Sequence, residues 1–196
     1  PYPPSHLIGD VEFAPEGDIR RAALGSDNWP ITWGDDDALY TAYGDGNGFE
    51  PGVERKLSLG LARVTGGPDD FAGQNLRSPT AERTGDGAAG LKTSGMLMVG
   101  STLYMLVRNA GNSRLAWSQD RGETWKWGFT FQESFGCPTF LNAGRAYADA
   151  PDGDVYLYSA DGPSAYEAYD QLVLARVPAD RVEDRVVPGR SGHDGG

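Results

Sequence analysis

Residues 118–125 read Ser-Gln-Asp-Arg-Gly-Glu-Thr-Trp, and this stretch sets the register for the rest of the chain. The pattern is typical of a tight turn between two antiparallel strands. Asp120 can accept hydrogen bonds from the backbone of its own turn, and Gly122 supplies a backbone conformation that other residues resist. Trp125 is placed to cover the edge of the turn. The alternative is an ordinary hairpin with a polar turn, and in both cases the stretch is structural.

The composition favours an all-β protein built from many short elements. The 196 residues include 28 Gly and 13 Pro, with five Trp, nine Tyr and seven Phe, which indicates short strands joined by turns. The length fits one domain with a substantial core. The net charge of -11, with no basic run, argues against nucleic acid as a partner, because binding to phosphates relies on Lys and Arg.

The sequence predicts no membrane span and gives little information on redox compartment. No apolar run approaches the length that would cross a bilayer. The single cysteine, Cys137, lies in the apolar run 136–141 and is interpreted as a small buried thiol. Since the chain begins with Pro1, both processing and a cut chain remain open.

A strand pattern recurs three times along the chain. Its clearest mark is Leu-Ala followed by Arg or Trp, starting at positions 61, 115 and 174, at intervals of 54 and 59 residues. Three strands are recognised in each unit: 30–33, 38–43 and 57–64 in the first, 94–99, 102–107 and 113–117 in the second, and 137–141, 155–158 and 171–177 in the third. In the second unit the turn 118–125 leads into a fourth strand at 125–131. Shorter alternating pieces at 11–13 and 19–22 predict an additional edge or closing strand.

Units of this size with four short strands each are typical of β-propeller blades. The predicted blades span about 26–80, 92–132 and 134–188, so that 1–188 forms a partial propeller. Three blades do not close a ring, and we therefore expect an incomplete propeller. Residues 189–196 have lost the alternation and are predicted to be a disordered tail.

The chain resembles a bacterial family in the segments 26–33, 39–46, 56–60, 94–99, 108–113 and 134–140. The family is an uncharacterised group of secreted sialidase-like propeller proteins, distantly similar to five-bladed glycosidases, and the likeness covers roughly residues 1–182. In such proteins the turn motif at 118–125 is the Asp box. The resemblance implies a five-bladed ring, a secreted or periplasmic location and a carbohydrate ligand. It also implies that the Asp-box turn lies away from the active site.

This implied arrangement divides the acidic residues between two faces. The conspicuous run 35–37 joins the first and second strands, so we expect solvated turn carboxylates on the Asp-box face, together with the loop 143–154. The opposite face is formed by loops that enter each first strand and by loops between second and third strands. There we expect Asp27, Lys92, Arg108 and Glu133.

The candidate site on that opposite face combines acids, donors and aromatic rings, which suits a sugar. The candidate substrate-binding residues are Arg108, Lys92, Trp29, Asp45, Asn109 and Phe135. Neighbouring loops add Asp86, Asp161 and Tyr166, among others.

The resemblance to arabinanase-type glycosidases implies an acidic residue at the first strand of each of three blades. Asp27 and Glu133 occupy comparable positions, whereas the second blade has Thr93-Ser94-Gly95, without a carboxylate; Asp86 is a possible substitute from its loop. A sialidase would need an arginine cluster, and Arg108 alone stands in the expected funnel, so sialic acid is disfavoured.

Two functions remain open. In a glycoside hydrolase, Asp27 would act as base or nucleophile and Glu133 as general acid, with Arg108 and Lys92 orienting substrate. The alternative is a non-catalytic carbohydrate-binding or scaffold propeller, favoured by the missing third carboxylate. No cofactor is expected, although calcium held by Asp45 or Asp161 is compatible with either function. Each of these residues also has a purely structural alternative. Asp27 could form an Asx turn, Glu133 could be a solvated carboxylate, and Arg108 could form a surface ion pair.

Overall fold

The computed structural model describes residues 5–184, and this part of the chain is all-β. It contains three antiparallel sheets and, among residues 5–184, only short 3-10 helices beside them. The first sheet comprises β1 (Ile31–Trp33), β2 (Leu39–Tyr43), β3 (Gly60–Thr65) and β4 (Ala72–Leu76). The second comprises β5 (Lys92–Val99), β6 (Thr102–Arg108), β7 (Ser113–Ser118) and β8 (Lys126–Thr130). The third comprises β9 (Thr139–Phe140), β10 (Asp154–Ala160) and β11 (Leu172–Pro178). The 3-10 helices are Glu16–Asp18, Gly87–Ala89, Arg145–Tyr147 and Ala179–Arg181.

The three sheets correspond to the three units predicted from the repeat. Within each sheet the strands lie in chain order, each antiparallel to the next. The first strands are neighbours in space as well, because β5 contacts both β1 and β9. The third sheet has three strands up to residue 184, and residues 185–188 of the predicted third blade, like the tail predicted at 189–196, lie outside the described residues.

The strands expected at 11–13 and 19–22 are wrong. The segment 5–24 contains one 3-10 helix and no strand, and several of its apolar side chains face solvent, with Leu7 96% and Phe13 86% exposed. These pieces alternate in sequence but have no neighbouring strand to pair with in the described part of the chain. Alternation alone does not form a strand, because an isolated strand leaves its backbone groups without partners.

Two apolar cores lie on either side of the second sheet. Along β6, Leu103, Met105 and Val107 join a core shared with the first sheet, while Tyr104 and Leu106 join a core shared with the third. A strand buried on both faces reads as a continuous apolar run, which explains the sequence Leu-Tyr-Met-Leu-Val. The second sheet is therefore the centre of the described structure, and a third cluster covers the outer part of the first sheet around Tyr43 and Phe49.

Candidate functional site

The turn motif at 118–125, called the Asp box below, joins β7 to β8, and a turn between two antiparallel strands was predicted there. The Ser118 hydroxyl accepts a hydrogen bond from the Gly122 N–H at 2.8 Å and donates one to the Asp120 carboxylate at 2.7 Å. Asp120 also accepts the Thr124 N–H at 2.8 Å, and Gly122 has a φ of 95°, which favours glycine. The indole of Trp125 is 4% exposed and donates to the Gly122 carbonyl. The motif is thus a structural turn anchored in the core.

The acidic run 35–37 lies beside this turn, which confirms its predicted face. Arg121 of the Asp box reaches both Asp35 and Asp36 at 3.2 Å. Arg145, from the loop that the sequence also placed on this face, contacts Asp37 at 2.8 Å.

The prediction of solvated turn carboxylates fits Asp37, whose side chain is 67% exposed, but it is wrong for Asp36. Asp36 is only 16% exposed and binds Arg63 at 2.8 Å and the Tyr40 hydroxyl at 3.1 Å. Burial by itself raises the pKa of Asp36, but the hydrogen bonds from Arg63 and Tyr40 outweigh it and hold the pKa below its usual value. The run is therefore a set of ion pairs that joins the three sheets.

Elements from the first two sheets bring Lys92 and two carboxylates together. Lys92, at the start of β5, is 4% exposed and its ammonium donates to the Asp45 carboxylate. A buried ammonium is costly without a partner, so Asp45 fixes its position. The Lys92 hydrogen bond is also the main reason why the pKa of Asp45 lies below its usual value.

Asp27 lies next to this ion pair. It pairs with Gly44 in an isolated antiparallel bridge, and a Cβ at Gly44 would stand 3.4 Å from the Asp27 carboxylate and 3.8 Å from the Lys92 ammonium. A Cβ there would also stand 3.2 Å from the Ser58 carbonyl oxygen, so the backbone of Gly44 packs closely against this group of residues. Within residues 5–184 the Asp27 carboxylate makes no hydrogen bond, so the Asx-turn alternative finds no support there.

A second group surrounds Arg108, the cross-strand partner of Lys92. The Arg108 guanidinium lies 5.5 Å from the ring centre of Tyr166, which is 52% exposed. Asn109 donates to the Tyr166 hydroxyl at 3.2 Å and to the Gly90 carbonyl at 2.7 Å. Within residues 5–184 Arg108 forms no salt bridge, and its Nε is buried without a partner. The pKa of the half-buried Cys137 thiol is raised by burial, with Arg108 opposing the shift.

The two predicted site residues before β9 behave differently from each other. Glu133 is exposed, with a φ of 48°, and its carboxylate makes no ion pair within the described residues. Phe135, in contrast, is 3% exposed and stacks on Phe131 in the core between the second and third sheets. The expectation that Phe135 offers its ring to a ligand is therefore corrected, because the ring is a core side chain.

Trp29 is half-buried and packs against Tyr43 and Phe49, with ring centres 5.4 and 5.5 Å apart. It donates a long hydrogen bond to the Ser26 carbonyl at 3.4 Å. Its main contacts are thus with the cluster that covers the first sheet, and only part of the indole is free to meet a ligand.

The structure adds one residue that sequence reasoning missed. Lys56 bridges Asp45 at 3.5 Å and Asp86 at 3.3 Å, so the loops before β3 and before β5 meet above Lys92. No sequence signal marks this pairing, since both loops lack periodicity. The candidate site, defined by Asp27, Asp45, Lys92, Arg108, Asn109 and Tyr166, therefore gathers most of the predicted residues. Within residues 5–184 no hydrogen bond or ion pair links Glu133 to them.

The two carboxylates considered for calcium, Asp45 and Asp161, have other partners among the described residues. Asp45 is engaged by Lys92 and Lys56, and Asp161 accepts a hydrogen bond from the Ser134 hydroxyl. Among residues 5–184 no three His, Cys, Asp or Glu side chains cluster as metal ligands would. The same part of the chain has no helix of the length and apolar character needed to cross a bilayer.

No family model matches the chain, and a search of curated proteins finds no significant match.

Proposed function

We propose that the chain is part of a carbohydrate-binding β-propeller whose ligand site lies on the face opposite the Asp box. The observation that carries the proposal is the group of Arg108, Asn109 and Tyr166 next to the Lys92–Asp45 ion pair. Sugars are bound by aromatic rings that cover their apolar faces and by charged or amide groups that bind their hydroxyls. Both kinds of group meet here on one surface.

The arrangement of the sheets supports the propeller interpretation. Three sheets follow one another in chain order, and their first strands β1, β5 and β9 are adjacent, as the innermost strands of successive blades are. The outer sheets also carry exposed apolar side chains, including Ile31 and Trp33 on the first and Leu172 and Leu174 on the third. Further blades of a five-bladed ring would cover such surfaces. Secretion or a periplasmic location would suit this ligand and stays part of the proposal.

The ligand would be held by complementary groups. The exposed ring of Tyr166 offers a stacking surface, and the Arg108 and Asn109 side chains fix its orientation. Arg108 keeps donor capacity for a hydroxyl because no carboxylate in the described chain pairs with it. The buried Lys92 ammonium and its partner Asp45 add a fixed polar group beside them, because the ammonium is held by this ion pair.

Binding is tested by titrating the protein with a panel of plant and bacterial oligosaccharides. We expect saturable binding that Tyr166→Leu weakens about tenfold, since one stacking contact contributes on the order of 1 kcal/mol. Tyr158→Leu on β10 is the matched control, because Tyr158 is also exposed but lies outside the candidate site. Equal binding by both variants, or no binding by the parent protein, would refute the proposal.

Hydrolysis at the same site is the second candidate, favoured by one observation: the Asp27 carboxylate is exposed, unpaired within residues 5–184 and next to Lys92. In this reading Asp27 acts as base or nucleophile, and Glu133 is the acid brought from the loop before β9. The release of reducing ends from the bound oligosaccharides tests it.

We expect Asp27→Asn and Glu133→Gln to abolish any release while oligosaccharide binding persists. Asp18→Asn, in the exposed 3-10 helix Glu16–Asp18 that contributes no residue to the candidate site, should keep full activity. Binding without release of reducing ends by the parent protein would leave carbohydrate binding as the function and exclude hydrolysis.

A further inference from the structure

An open cleft of about 400 Å³ lies beside the second sheet and shares no residue with the candidate site. It is lined by Arg83, Leu91, Ala110, Arg114 and Trp127. Arg114 comes from β7 and Trp127 from β8, while Arg83 belongs to the segment that connects the first sheet to the second. The cleft therefore has cationic groups on two elements and an aromatic ring between them.

Both arginines pack on the indole of Trp127. The guanidinium carbon of Arg83 lies 5.2 Å from the ring centre, and that of Arg114 lies 5.5 Å from it. Trp127 is itself held in place, because its N–H donates to the Thr80 carbonyl at 3.0 Å. Cation–π contacts of this kind favour a fixed guanidinium orientation.

Backbone carbonyls also hold the two guanidinium groups. Arg83 donates to the carbonyls of Glu82 at 2.7 Å and Thr80 at 3.1 Å. Arg114 donates to the Gly128 carbonyl at 2.9 Å. Each guanidinium has five N–H donors, so both retain donors after these bonds. The remaining donors are preorganised, which lowers the entropy cost of binding a ligand.

No carboxylate neutralises this pair of charges in the part of the chain that the structure describes. Neither Arg83 nor Arg114 forms a salt bridge among residues 5–184. Glu82, although adjacent to Arg83 in sequence, is bound by Arg77 at 2.6 and 2.9 Å. Arg83 and Arg114 therefore keep their positive charges without an acidic partner in this part of the chain. Their free charge indicates an anionic ligand.

We propose that this cleft binds a carboxylate carried on a ring. The arginines would bind the carboxylate, and Trp127 with Leu91 would contact a flat or apolar ring face. Two sources share this chemistry: a uronic acid unit of a polysaccharide and a small aromatic carboxylate. The proposal does not depend on the proposed function, because the two sites have no residue in common.

The test follows the indole N–H signal of Trp127 by NMR while sodium glucuronate, sodium benzoate or methyl glucoside is added. The signal is assigned from its loss in Trp127→Phe, since the chain has five Trp. We expect a saturable shift with glucuronate or benzoate at millimolar concentration, and the stronger ligand identifies the source. A response to methyl glucoside equal to that to glucuronate, or no response to either carboxylate, would overturn the proposal.

Substitutions locate the ligand. Arg83→Gln and Arg114→Gln should each weaken binding about tenfold, the size expected for one charge-assisted contact. Arg83→Lys and Arg114→Lys keep the charge but lose the planar fork, so we expect a smaller loss. Thermal unfolding shows whether each variant is folded. If a glutamine variant is not folded, the lysine variants test whether Arg83 and Arg114 bind the carboxylate.

Arg55→Gln is the matched control, because it removes the same charge from a separate cleft that does not include Trp127. It should leave binding unchanged. If Arg55→Gln weakens binding and the variants of Arg83 and Arg114 do not, the carboxylate binds elsewhere and the proposal fails.

Discussion

Asp36 shows how a single carboxylate can connect distant parts of this chain. It binds Arg63 of the same sheet and Arg121 of the Asp box, which lies 85 residues further along the chain. The Tyr40 hydroxyl also donates a hydrogen bond to the Asp36 carboxylate. Because Asp36 and Arg63 are both largely buried, loss of one partner leaves the other charge poorly compensated.

We therefore expect Asp36→Asn to lower the free energy of unfolding by about 2 kcal/mol, the usual size of a hydrogen bond to a charged group. Asp37→Asn is the control in the same turn: its partner Arg145 and Asp37 itself are both at least half exposed, so the loss should be small. Urea unfolding of the two variants measures the difference. Equal losses would show that Asp36 has no special role.

The contacts of Asp36 also predict that the stability of the protein depends on pH. The folded-state pKa of Asp36 lies below its unfolded value because the bonds from Arg63 and Tyr40 outweigh burial. Its contribution to stability is thus complete above the unfolded pKa, about 4, and is lost as the pH falls through the lower folded value. Urea midpoints measured from pH 7 down to pH 3 should fall less steeply for Asp36→Asn than for the parent protein. Parallel curves would contradict this assignment.

Several site residues could be predicted from sequence because they lie at the ends of strands. Lys92 and Arg108 are cross-strand partners, so alternation and hairpin register place both at one end of the second sheet. Phe135 could not be placed in this way. It and Glu133 have positive φ values, so strand alternation does not apply to their segment and gives no side-chain direction.

Among the elements, the Asp box depends most on one backbone conformation. Gly122 has a φ of 95°, a value that side chains with a Cβ disfavour. We expect Gly122→Ala to lower stability by about 1 kcal/mol or more. Gly153→Ala is the control, since its backbone lacks a positive φ and a Cβ there would meet nothing within 4 Å. The measurement is the Tm of the two variants in thermal unfolding. Equal decreases in Tm would contradict the role given to Gly122.

At this scale the sequence predicted most strands but not all. Hairpins with alternating apolar residues, such as β5 and β6, were found near their predicted bounds because both faces of each strand are buried. The run predicted at 137–141 shrinks to Thr139–Phe140, which follows Pro138, a residue without an N–H for a sheet ladder. A strand also needs a neighbouring strand to pair with, and this depends on the tertiary structure. The alternation at 11–13 therefore predicted a strand that the structure does not contain.

At the scale of the whole molecule, stability depends on the two cores around the second sheet. Leu106 is fully buried in the core shared with the third sheet, whereas Leu7 is almost fully exposed. We expect Leu106→Ala to cost about 2–5 kcal/mol, through lost burial and a residual cavity. Leu7→Ala should be near neutral in the same denaturant titration. A small effect at Leu106 would indicate that this core is loosely packed.

The central claim is that binding occurs on the face opposite the Asp box, and Arg108 and Arg121 offer a direct comparison. Arg108 lies beside Tyr166, while Arg121 belongs to the Asp box and pairs with Asp35 and Asp36. Replacing either with Gln removes one positive charge. The decisive measurement is the oligosaccharide affinity of the two folded variants. We predict about a tenfold loss for Arg108→Gln and none for Arg121→Gln. A loss confined to Arg121→Gln, or the same affinity in both variants, would contradict the account.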